Sequence, residues 1–397
     1  MTIVFVSNFM SHHQLPLSQE LMRQNVDGEY TFVALKPMDE ERVSLGYDDM
    51  NVKYDFILRA YESKEQDQRA RELINQADMV IWGSADYDYL APRLDAGKLT
   101  FKYSERIFRN GKWRLFKPTN MAFFYRCFSQ YANAPFYLLA TGAYASSDFA
   151  FIHAFPRKAL RWGYFPPLEK KPYTQLLQEK HRGSFEIIWC ARMIALKHPE
   201  SVLYMAQKLL RQGVNFHVTM VGNGELLEDI RAKVKEAELE AYISLPGSVP
   251  AHRVREYMDR ARVLLFTSDA REGWGAVMNE GMNSACVPVV SHEIGSAPYL
   301  VTHQENGLIF ESGNWDEMTR QVQSLIQDPE KVLEMSRAAY RTIQEQWNSE
   351  KAAENLLCLS RSLLAGKQVE LPGEGPCSRA ENMKPADVKR SIRRKRQ

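Results

Sequence analysis

The sequence predicts an α/β protein with two Rossmann-like domains, each built on a parallel sheet and facing the other across a cleft. Its 397 residues exceed what one ordinary hydrophobic core holds, and about 150 residues per domain suggests two to three domains. Short β-rich runs alternate with helical patterns along nearly the whole chain, which favours βαβ units and parallel sheets. An aperiodic segment with a proline pair divides the chain near its middle. In such sheets, ligands bind at the carboxyl ends of the strands.

The first half of the chain predicts one Rossmann-like domain over residues 1–165. Its strands are predicted at 2–6, 30–34, 79–82, 99–103 and 136–140, with helices at 16–24 and 66–76 between them. A linker at 166–183, which begins with Pro166-Pro167, separates this domain from the next.

The second half has clearer elements and predicts a second Rossmann-like domain over residues 184–345. Its strands are predicted at 185–191, 216–221, 243–245, 263–267, 287–290 and 308–310, with helices at 199–212, 225–237, 254–261 and 315–327. Helical patterns continue at 330–346 and 350–364.

The last segment, residues 366–397, is polar and rich in glycine and proline, and we predict that it is a disordered tail. Residues 384–397 hold seven Lys/Arg and one Asp, so the rest of the chain is net acidic although the whole chain is +2. An acidic body disfavours general nucleic-acid binding, because a phosphate backbone requires a broad basic face. The tail alone can bind an anionic surface.

The composition excludes several other classes of protein. Apolar residues make up 45% and charged residues 25%, which is average for a globular chain. No apolar run approaches the roughly 18 residues of a membrane helix, and the N-terminus is typical of a strand rather than a signal peptide. The five cysteines are scattered without a CxxC pair, so neither a disulfide framework nor a zinc site is supported. These features favour a reducing cytoplasm.

The most informative segment is 268–280, SDAREGWGAVMNE, where a predicted strand leads through a loop with Gly273 and Gly275 into a helix. The glycines allow close backbone approach, and the amides at the helix start form an anion site. Glu272 in the loop can accept hydrogen bonds from sugar hydroxyls, and Glu280 in the helix can reach a ribose. The same residues also fit a glycine turn with two solvated glutamates.

Five segments, in the right order, resemble the family 4 (group 1) glycosyltransferases, which are retaining, nucleotide-sugar-dependent enzymes of the GT-B fold. Glu272 and Glu280 resemble the E-x7-E signature of that family. The other four segments are Ala191–His198 (ARMIALKH), Val221–Glu225 (VGNGE), Ala285–Val290 (ACVPVV) and Asn306–Phe310 (NGLIF). The resemblance is strong over about a third of the chain.

The resemblance implies roles for named residues. Arg192 and Lys197 would bind the donor phosphates, where fixed cations stabilise the negative charge of a departing nucleoside diphosphate. With Glu272 they form the implied catalytic set. The implied donor-binding residues are Gly222, Gly273, Trp274, Gly275, Ala276, Val277 and Glu280. No metal and no cofactor are expected, and the donor is expected to be UDP- or GDP-linked.

Some positions depart from the family pattern. His198 stands where the family often has Gly, and Ala276-Val277 replaces the common Leu-Pro. These changes leave the charges intact but leave the transferred sugar open. Asp86-Tyr87-Asp88 matches a D-x-D metal motif by its letters alone, away from the donor segments.

The first domain offers weaker candidates. His12 and His13 follow the first predicted strand and can face the cleft, or form a solvent-exposed pair near a helix start. Glu105 lies roughly where the family has a His near the transferred sugar, so it can bind a sugar hydroxyl or orient the acceptor.

Cations and aromatic residues are also mixed at 106–117. The residues concerned are Arg106, Phe108, Arg109, Lys112, Trp113, Arg114, Phe116 and Lys117. Such a patch can lie on an anionic bilayer, bind an anionic acceptor, or form a solvated loop around a packed Trp.

We therefore expect a retaining, metal-independent hexosyltransferase that moves a sugar from a nucleotide sugar to a glycan, lipid-linked or small-molecule acceptor in surface polysaccharide biosynthesis. The domain at 184–345 would bind the donor and that at 1–165 the acceptor, with a terminal helix at 346–365 packing back on the first domain. The expected location is the cytoplasm, with contact between the basic tail and the anionic inner membrane face. The alternatives are a GT-B sugar phosphorylase or sugar-phosphate synthase, and a non-catalytic nucleotide-sugar-binding protein.

Overall fold

The computed structural model describes residues 1–38, 49–109, 111–180 and 183–394, apart from the side chains of Arg114 and Phe116. The chain forms two compact units. The first unit contains residues 1–167 and 348–382, and the second contains residues 168–347 and the segment that starts at 383. Each unit is built on one parallel sheet, as the alternation of strand and helix patterns predicts.

The first unit has a seven-stranded sheet in the order β3-β2-β1-β4-β5-β6-β7. Its strands are β1 Ile3–Ser7, β2 Tyr30–Ala34, β3 Ile57–Arg59, β4 Met79–Trp82, β5 Thr100–Ser104, β6 Phe136–Thr141 and β7 Ala159–Trp162. Neighbouring strands pair in parallel, and β1 lies between β2 and β4 with all five of its residues buried. A strand buried on both faces requires the continuous apolar run that begins the sequence.

Helices connect these strands. They are Leu15–Gln24, Met50–Lys53, Lys64–Gln76, Ala91–Asp95, Pro118–Cys127 and Ala145–Phe151, with 3-10 turns at Tyr87–Tyr89, Lys112–Phe116 and Ser129–Tyr131. The helix Lys64–Gln76 shows how the sequence defines its start, because the Ser63 side chain accepts a hydrogen bond from the Gln66 amide. Two strands were missed by sequence reasoning, β3 and β7, since runs of three and four residues fall below a recognisable period.

The second unit has a six-stranded parallel sheet in the order β10-β9-β8-β11-β12-β13. Its strands are β8 Glu186–Cys190, β9 His217–Val221, β10 Ile243–Gly247, β11 Val263–Phe266, β12 Val287–Ser291 and β13 Leu308–Phe310. Successive residues of one strand lie on opposite faces, and Ile187 and Ile188 belong to separate buried clusters on the two sides. The sheet is therefore covered on both faces, as parallel sheets are.

Helices connect the strands of the second unit. They are Tyr173–Lys180, Glu200–Arg211, Leu227–Glu236, Ala251–Arg260, Val277–Asn283, Ala297–Leu300, Trp315–Gln327 and Pro329–Arg341, followed by a π-helical turn at Thr342–Gln346. The segment predicted as a linker at 166–183 thus contains a helix, and Leu176 and Lys180 of this helix are buried in the second unit.

The helix Ser349–Leu364 belongs to the first unit and packs against Leu15–Gln24. The Gln24 side-chain amide donates to the Glu350 carbonyl at 2.9 Å, and the fully buried Ser360 hydroxyl lies 2.8 Å from the Met79 sulfur. The apolar stripe of the helix Ser349–Leu364 includes the buried residues Leu356 and Leu357.

The structure corrects the prediction that residues 366–397 form a disordered tail, as far as its described part, which ends at 394. Cys377 is fully buried, and its amide donates to the Arg161 carbonyl at 2.9 Å, while the Arg161 amide donates to the Ser378 carbonyl at 2.7 Å. Residues next to Ser378 thus pair with the edge strand β7. The helix Pro385–Arg394 follows in the second unit and buries Val388 and Ile392. Only two apolar residues, four positions apart, stand among the cations here. Two such residues are too few for the sequence to distinguish a packed helix from a disordered tail.

Two basic residues of the helix Pro385–Arg394 form ion pairs within the second unit. Lys389 and Arg393 both form ion pairs with Glu311, which follows β13. Within the described residues, no helix is both long and apolar enough to cross a membrane.

Candidate active site

The predicted residues of the second unit meet at the carboxyl edge of its sheet. Arg192 and Lys197 follow β8, Gly222 follows β9, and the loop with Glu272 follows β11. The order of the sheet places β8 between β9 and β11, so three successive loops converge there. This is the edge at which open parallel sheets bind ligands.

A Lys197–Glu272 ion pair lies at the centre of the arrangement. The two side chains are only 13% and 14% exposed, so both charges are largely withdrawn from water. Two further bonds hold the loops together: the Thr267 hydroxyl donates to the Lys197 carbonyl at 2.5 Å, and the Asp269 amide donates to the Leu196 carbonyl at 3.0 Å. The pair is therefore built on a fixed backbone rather than on two mobile surface chains.

Arg192 is exposed, whereas the backbone on either side of it is anchored. The Met193 amide donates to the Asn223 carbonyl at 2.8 Å, and the Ile194 amide donates to the Arg192 carbonyl at 2.9 Å. The guanidinium thus faces solvent from a defined backbone position at the strand end.

Two glycines permit the close approach of the loops. Gly222 has φ +140°, and a Cβ added there would lie 1.8 Å from the Ala191 carbonyl oxygen. Gly275 has φ +80°, and a Cβ there would lie 2.4 Å from Cζ of Phe266. A side chain at Gly222 would force the loops after β8 and β9 apart, and one at Gly275 would displace the Phe266 ring, since real Cβ contacts essentially never fall below about 3 Å.

The side chain of Trp274 is fully buried, so of this residue only the backbone can reach a ligand. Its indole nitrogen donates to Oδ1 of Asn279 at 2.8 Å, and its ring centroid lies 5.7 Å from that of Trp347. Trp274 therefore fixes the glycine loop to the core of the unit. Gly273 is also buried, and its carbonyl accepts from the Gly295 amide at 3.0 Å.

The helix Val277–Asn283 starts directly after this loop. Amides in its first turn, including those of Ala276 and Val277, precede the residues that have intrahelical acceptors and so are available to an anion. Glu280 lies in that helix, and burial raises the pKa of its carboxyl, opposed by the nearby charge of Arg255. Arg255 also donates to the Glu280 carbonyl at 2.7 Å.

His198 is a residue of this site that sequence reasoning noticed only as a departure. It has φ +50° and ψ +53°, the left-handed conformation that favours glycine, the residue that the family resemblance implies at this position. Its Nδ1 lies 3.0 Å from Glu200 and its Nε2 lies 3.3 Å from Asp269. The hydrogen bond to Glu200 raises the pKa of His198, with the Asp269 charge adding to it. His198 thereby ties the Lys197 turn to the loop that carries Glu272.

The remaining predicted residues belong to the first unit and lie at the carboxyl edge of its own sheet. His12 and His13 follow β1, with their ring centroids 4.1 Å apart, and His13 stacks on Tyr164 at 5.6 Å. Glu105 directly follows β5 and forms an ion pair with Arg109 at 3.0 Å. All three are partly buried.

The D-x-D letters fall in the 3-10 turn Tyr87–Tyr89 of the first unit. Across residues 1–38, 49–109, 111–180 and 183–394, no group of three or more His, Cys, Asp or Glu side chains is arranged to hold a metal ion.

Residues 178–342 match the family model described as "Glycosyl transferases group 1". This range spans all six strands of the second unit's sheet and every residue that the sequence predicts to bind the donor. The E-x7-E glutamates and the Arg192–Lys197 segment lie within it.

Two curated relatives each align with slightly less than half of the chain. The Erwinia amylovora amylovoran biosynthesis glycosyltransferase AmsK is 24% identical over 194 residues, which are 48% of this chain and 47% of AmsK. The GDP-mannose-dependent alpha-(1-6)-phosphatidylinositol monomannoside mannosyltransferase of Mycobacterium tuberculosis is 23% identical, over 43% of this chain and 46% of that protein. The chain thus aligns with about half the length of these relatives.

Among solved structures, the chain is similar to Anabaena Alr3699/HepE in complex with UDP. The TM-score is 0.67 at 13% identity, over 92% of this chain and 100% of that one. At this identity the likeness shows the fold, which is that of a GT-B protein with two Rossmann-like domains.

Proposed function

We propose that this chain, whose residues 178–342 belong to the group 1 glycosyl transferases, moves a sugar from a nucleotide-sugar donor to an acceptor with retention of anomeric configuration. One observation carries the proposal. A largely buried Lys197–Glu272 pair lies beside a glycine-lined helix start at the carboxyl edge of the sheet. A cation for phosphate and a carboxylate for sugar hydroxyls are thus adjacent on one rigid frame.

The diphosphate of the donor binds Arg192, Lys197 and the amides near Gly275. A guanidinium can bind a diphosphate through two parallel hydrogen bonds, and Arg192 is exposed for that purpose. A phosphate oxygen replaces the Glu272 carboxylate as the partner of Lys197. Glu272 then accepts hydrogen bonds from the hydroxyls of the transferred sugar.

Glu280 binds the ribose of the nucleotide. Its raised pKa matches this role, because a carboxyl in a poorly solvated place gains from two hydroxyl donors. The donor nucleotide is UDP or GDP in this proposal. The mannosyltransferase relative is GDP-mannose-dependent, and the Anabaena structure is a complex with UDP.

The reaction proceeds by attack on the same face as the leaving group. Glu272 is assigned to sugar hydroxyls and Glu280 to ribose, so neither acts as a nucleophile or a general base at the anomeric carbon. The departing phosphate oxygen accepts the proton of the acceptor hydroxyl, while Arg192 and Lys197 stabilise its negative charge. The glycosidic bond to phosphate breaks, the new glycosidic bond forms, and the configuration is retained.

In this proposal, protein groups stabilise the negative charge of the leaving group, so the reaction is metal-independent. Two cations and the amides of a helix start supply the stabilisation that a divalent ion provides in other phosphate-transferring sites. We expect activity to survive EDTA.

The first unit binds the acceptor in this proposal, with His12, His13 and Glu105 as the contacting side chains. The acceptor is a glycan, a lipid-linked sugar or a small molecule, and the setting is surface polysaccharide biosynthesis in the cytoplasm. The similarity to an amylovoran biosynthesis enzyme supports this setting. The basic C-terminal segment remains a candidate for contact with an anionic membrane, although Lys389 and Arg393 already bind Glu311.

The test is nucleotide release from a panel of UDP- and GDP-sugars, with and without acceptors. Arg192→Ala and Lys197→Ala should each lower turnover by roughly 10²-fold, as for the loss of one charge-stabilising donor. Arg231→Ala is the matched control, because Arg231 is an exposed cation of the same unit paired to Glu228 on a helix surface. It should change turnover by less than about twofold.

The panel also separates the alternatives. Nucleotide release that requires a sugar phosphate as acceptor identifies a sugar-phosphate synthase. Formation of a sugar 1-phosphate from a glycan and inorganic phosphate, without any nucleotide sugar, identifies a phosphorylase. Donor binding without release under any condition identifies a non-catalytic binding protein. Near-full activity in folded Arg192→Ala or Lys197→Ala would contradict the assigned roles.

A further inference from the structure

We propose that the second unit carries a second catalytic site, in which Ser244 is an activated nucleophile for the hydrolysis of acyl esters of sugars. The Ser244 hydroxyl is the last member of a chain of hydrogen bonds, Glu186–His217–Ser244, that crosses the strands β8, β9 and β10. The site goes beyond the proposed sugar transfer and does not depend on it.

The parallel pairing of three adjacent strands brings these side chains together. Glu186 lies opposite His217 in the pairing of β8 with β9, and Ser244 lies opposite Thr219 in the pairing of β10 with β9. His217 and Thr219 are two positions apart in one strand, so they lie on the same face of the sheet. Residues that are 31 and 27 positions apart in the chain thus meet on one face.

The two hydrogen bonds of the imidazole fix its tautomer. Nδ1 of His217 lies 2.9 Å from Oε2 of Glu186, and Nε2 lies 2.9 Å from Oγ of Ser244. Because an ionised carboxylate only accepts, Nδ1 carries the proton, and Nε2 of the neutral ring accepts from the Ser244 hydroxyl. This is the tautomer in which a histidine acts as a general base toward a serine, and the order of carboxylate, imidazole and hydroxyl is that of the serine hydrolases.

The Glu186 carboxylate is itself held in place. The Ser184 hydroxyl donates to Oε1 of Glu186 at 2.7 Å, which leaves Oε2 to the imidazole. Burial alone would raise the pKa of Glu186, but the hydrogen bonds from His217 and Ser184 outweigh burial and hold that pKa below its ordinary value. A base that is oriented by a third group and lies within hydrogen-bond reach of a hydroxyl is the arrangement that activates a nucleophile.

A groove gives a substrate access to the Ser244 hydroxyl. Glu186, His217 and Ser244 line a groove of about 1040 Å³, to which the helices Tyr173–Lys180 and Ala251–Arg260 of the same unit also contribute. The side chains of Glu186 and His217 are each 26% exposed, and Ser244 is exposed. Glu186 and His217 are the first residues of their strands, whereas the residues assigned to the donor follow the carboxyl ends, so the two sites lie at opposite ends of the sheet.

The chemistry of the groove indicates the class of substrate. Most of the other residues that line it have polar side chains, among them Gln175, Gln178, Glu179, Thr219, Tyr257 and Arg260. The hydroxyls of a sugar match this mixture of donors and acceptors, whereas the long acyl chain of a lipid ester requires an apolar pocket. The substrate is therefore a sugar that carries a short acyl ester.

The reaction consists of two acyl transfers. Oγ of Ser244 attacks the ester carbonyl while Nε2 of His217 takes the hydroxyl proton, and this proton then passes to the leaving oxygen of the sugar. The ester bond of the substrate breaks and an acyl-Ser244 ester forms. A water molecule attacks that ester in the same way, which releases the carboxylic acid and restores the serine. Gln178 and Arg260 in the groove carry N–H groups that suit the oxyanion of each intermediate.

The experiment is labelling of the full chain with a fluorophosphonate, which phosphonylates an activated serine hydroxyl and releases fluoride. Peptide mass spectrometry should place the label on Ser244, and Ser244→Ala should lose it. His217→Gln should lower the labelling rate by roughly 10²–10⁴-fold, the contribution of a general base. Glu186→Gln should also lower it, because an amide nitrogen donates to Nδ1 and leaves the proton on Nε2.

Matched controls isolate the hydrogen-bonded chain. Ser248→Ala removes an exposed serine just after the same strand, and should be labelled as the wild type is. Lys197→Ala should also be labelled at the wild-type rate, and Ser244→Ala should release nucleotide at the wild-type rate, so failure of the sugar-transfer proposal would be seen separately. Thermal unfolding checks that each variant is folded. Hydrogen bonds with a purely structural role would make Glu186→Gln less stable without any labelling of the wild type.

The acetyl and octanoyl esters of methyl glucoside test the class of substrate. The wild type should release acetate from the first with the higher kcat/KM, and Ser244→Ala should release neither acid.

Three labelling results would overturn the activated serine: an unlabelled wild type, a label on a serine other than Ser244, and equal labelling rates in the wild type and folded His217→Gln. A higher kcat/KM for the octanoyl ester would overturn the assignment to short acyl groups. Release of acid from neither ester would overturn the hydrolysis of sugar esters.

Discussion

Replacing Gly275 by alanine tests how closely the donor loop must approach the sheet. A Cβ at this position would lie 2.4 Å from Cζ and 2.5 Å from Cε1 of Phe266. Phe266 ends β11 and is 2% exposed, so its ring cannot move into solvent. The Lys197 ammonium lies 5.6 Å from the centroid of the same ring. A displaced ring would therefore disturb the cation assigned to the donor phosphate.

The magnitude has two parts. The left-handed backbone at Gly275, with φ +80°, costs a residue with a Cβ about 1–2 kcal/mol. Overpacking against Phe266 adds about 1–3 kcal/mol. The expected loss in the free energy of unfolding is thus about 2–5 kcal/mol, a substantial part of the roughly 5–15 kcal/mol that stabilises a typical domain.

Gly213→Ala is the matched control. Gly213 has φ +66°, but a Cβ there meets no atom within 4 Å, so it incurs the backbone cost alone. Denaturant unfolding should show Gly275→Ala less stable than Gly213→Ala by about 1–3 kcal/mol. Nucleotide release should fall by roughly 10²-fold in Gly275→Ala at a temperature where it is folded, as for a misplacement of about 1 Å, and stay near wild type in Gly213→Ala. Equal stability and equal turnover in the two variants would refute the reasoning, and partial recovery in Gly275→Ala/Phe266→Leu would support it.

Three further predictions follow from other parts of the molecule. An α-linked nucleotide sugar should give an α-linked product, measured by the anomeric proton coupling, and a β-linked product would exclude the same-face mechanism. Burial lowers the pKa of Lys102 to about 7, and its ammonium donates to the Gly83 carbonyl at 2.5 Å. The unfolded chain therefore binds a proton that the folded chain has lost between pH 7 and about 10, so stability from this group rises with pH in that window. The difference in unfolding free energy between Lys102→Met and wild type should shrink over the same range in denaturant titrations, and a constant difference would contradict the shift. Ile392→Ala should release the helix Pro385–Arg394, seen as faster amide exchange there, whereas Arg390→Ala should not; unchanged exchange in Ile392→Ala would show that the helix is held by its ion pairs instead.

The convergence of the proposed donor-binding residues at one sheet edge could be predicted because each group of them is local in sequence. Arg192 and Lys197 lie in one loop, and Glu272 and Glu280 lie in one loop and the helix after it. Parallel-strand topology then brings those loops together without any further information, since the carboxyl ends of the strands share an edge. The Lys197–Glu272 pair itself could not be predicted, because it depends on side-chain positions across two loops.

The elements that were missed have short or mixed signals. Strand β7 has only four residues and includes Arg161, yet its backbone pairs on both sides, with β6 and with the segment at Ser378. The cations of the helix Pro385–Arg394 outnumber its apolar residues, so the sequence predicts a disordered tail where the structure has a helix. In both cases the stabilising partner is distant in sequence, so the local strand or helix propensity cannot reveal it.

Trp274 and His198 show the limit of reasoning from motif positions. Trp274 lies inside the signature segment, but its indole is committed to Asn279 and Trp347, so a position in a motif does not make a side chain a ligand contact. His198 adopts a left-handed conformation that costs about 1–2 kcal/mol for residues other than glycine. Hydrogen bonds to Glu200 and Asp269 offset that cost. His198 therefore forms a fixed link between the Lys197 turn and the loop that carries Glu272, which holds these two charged residues close together.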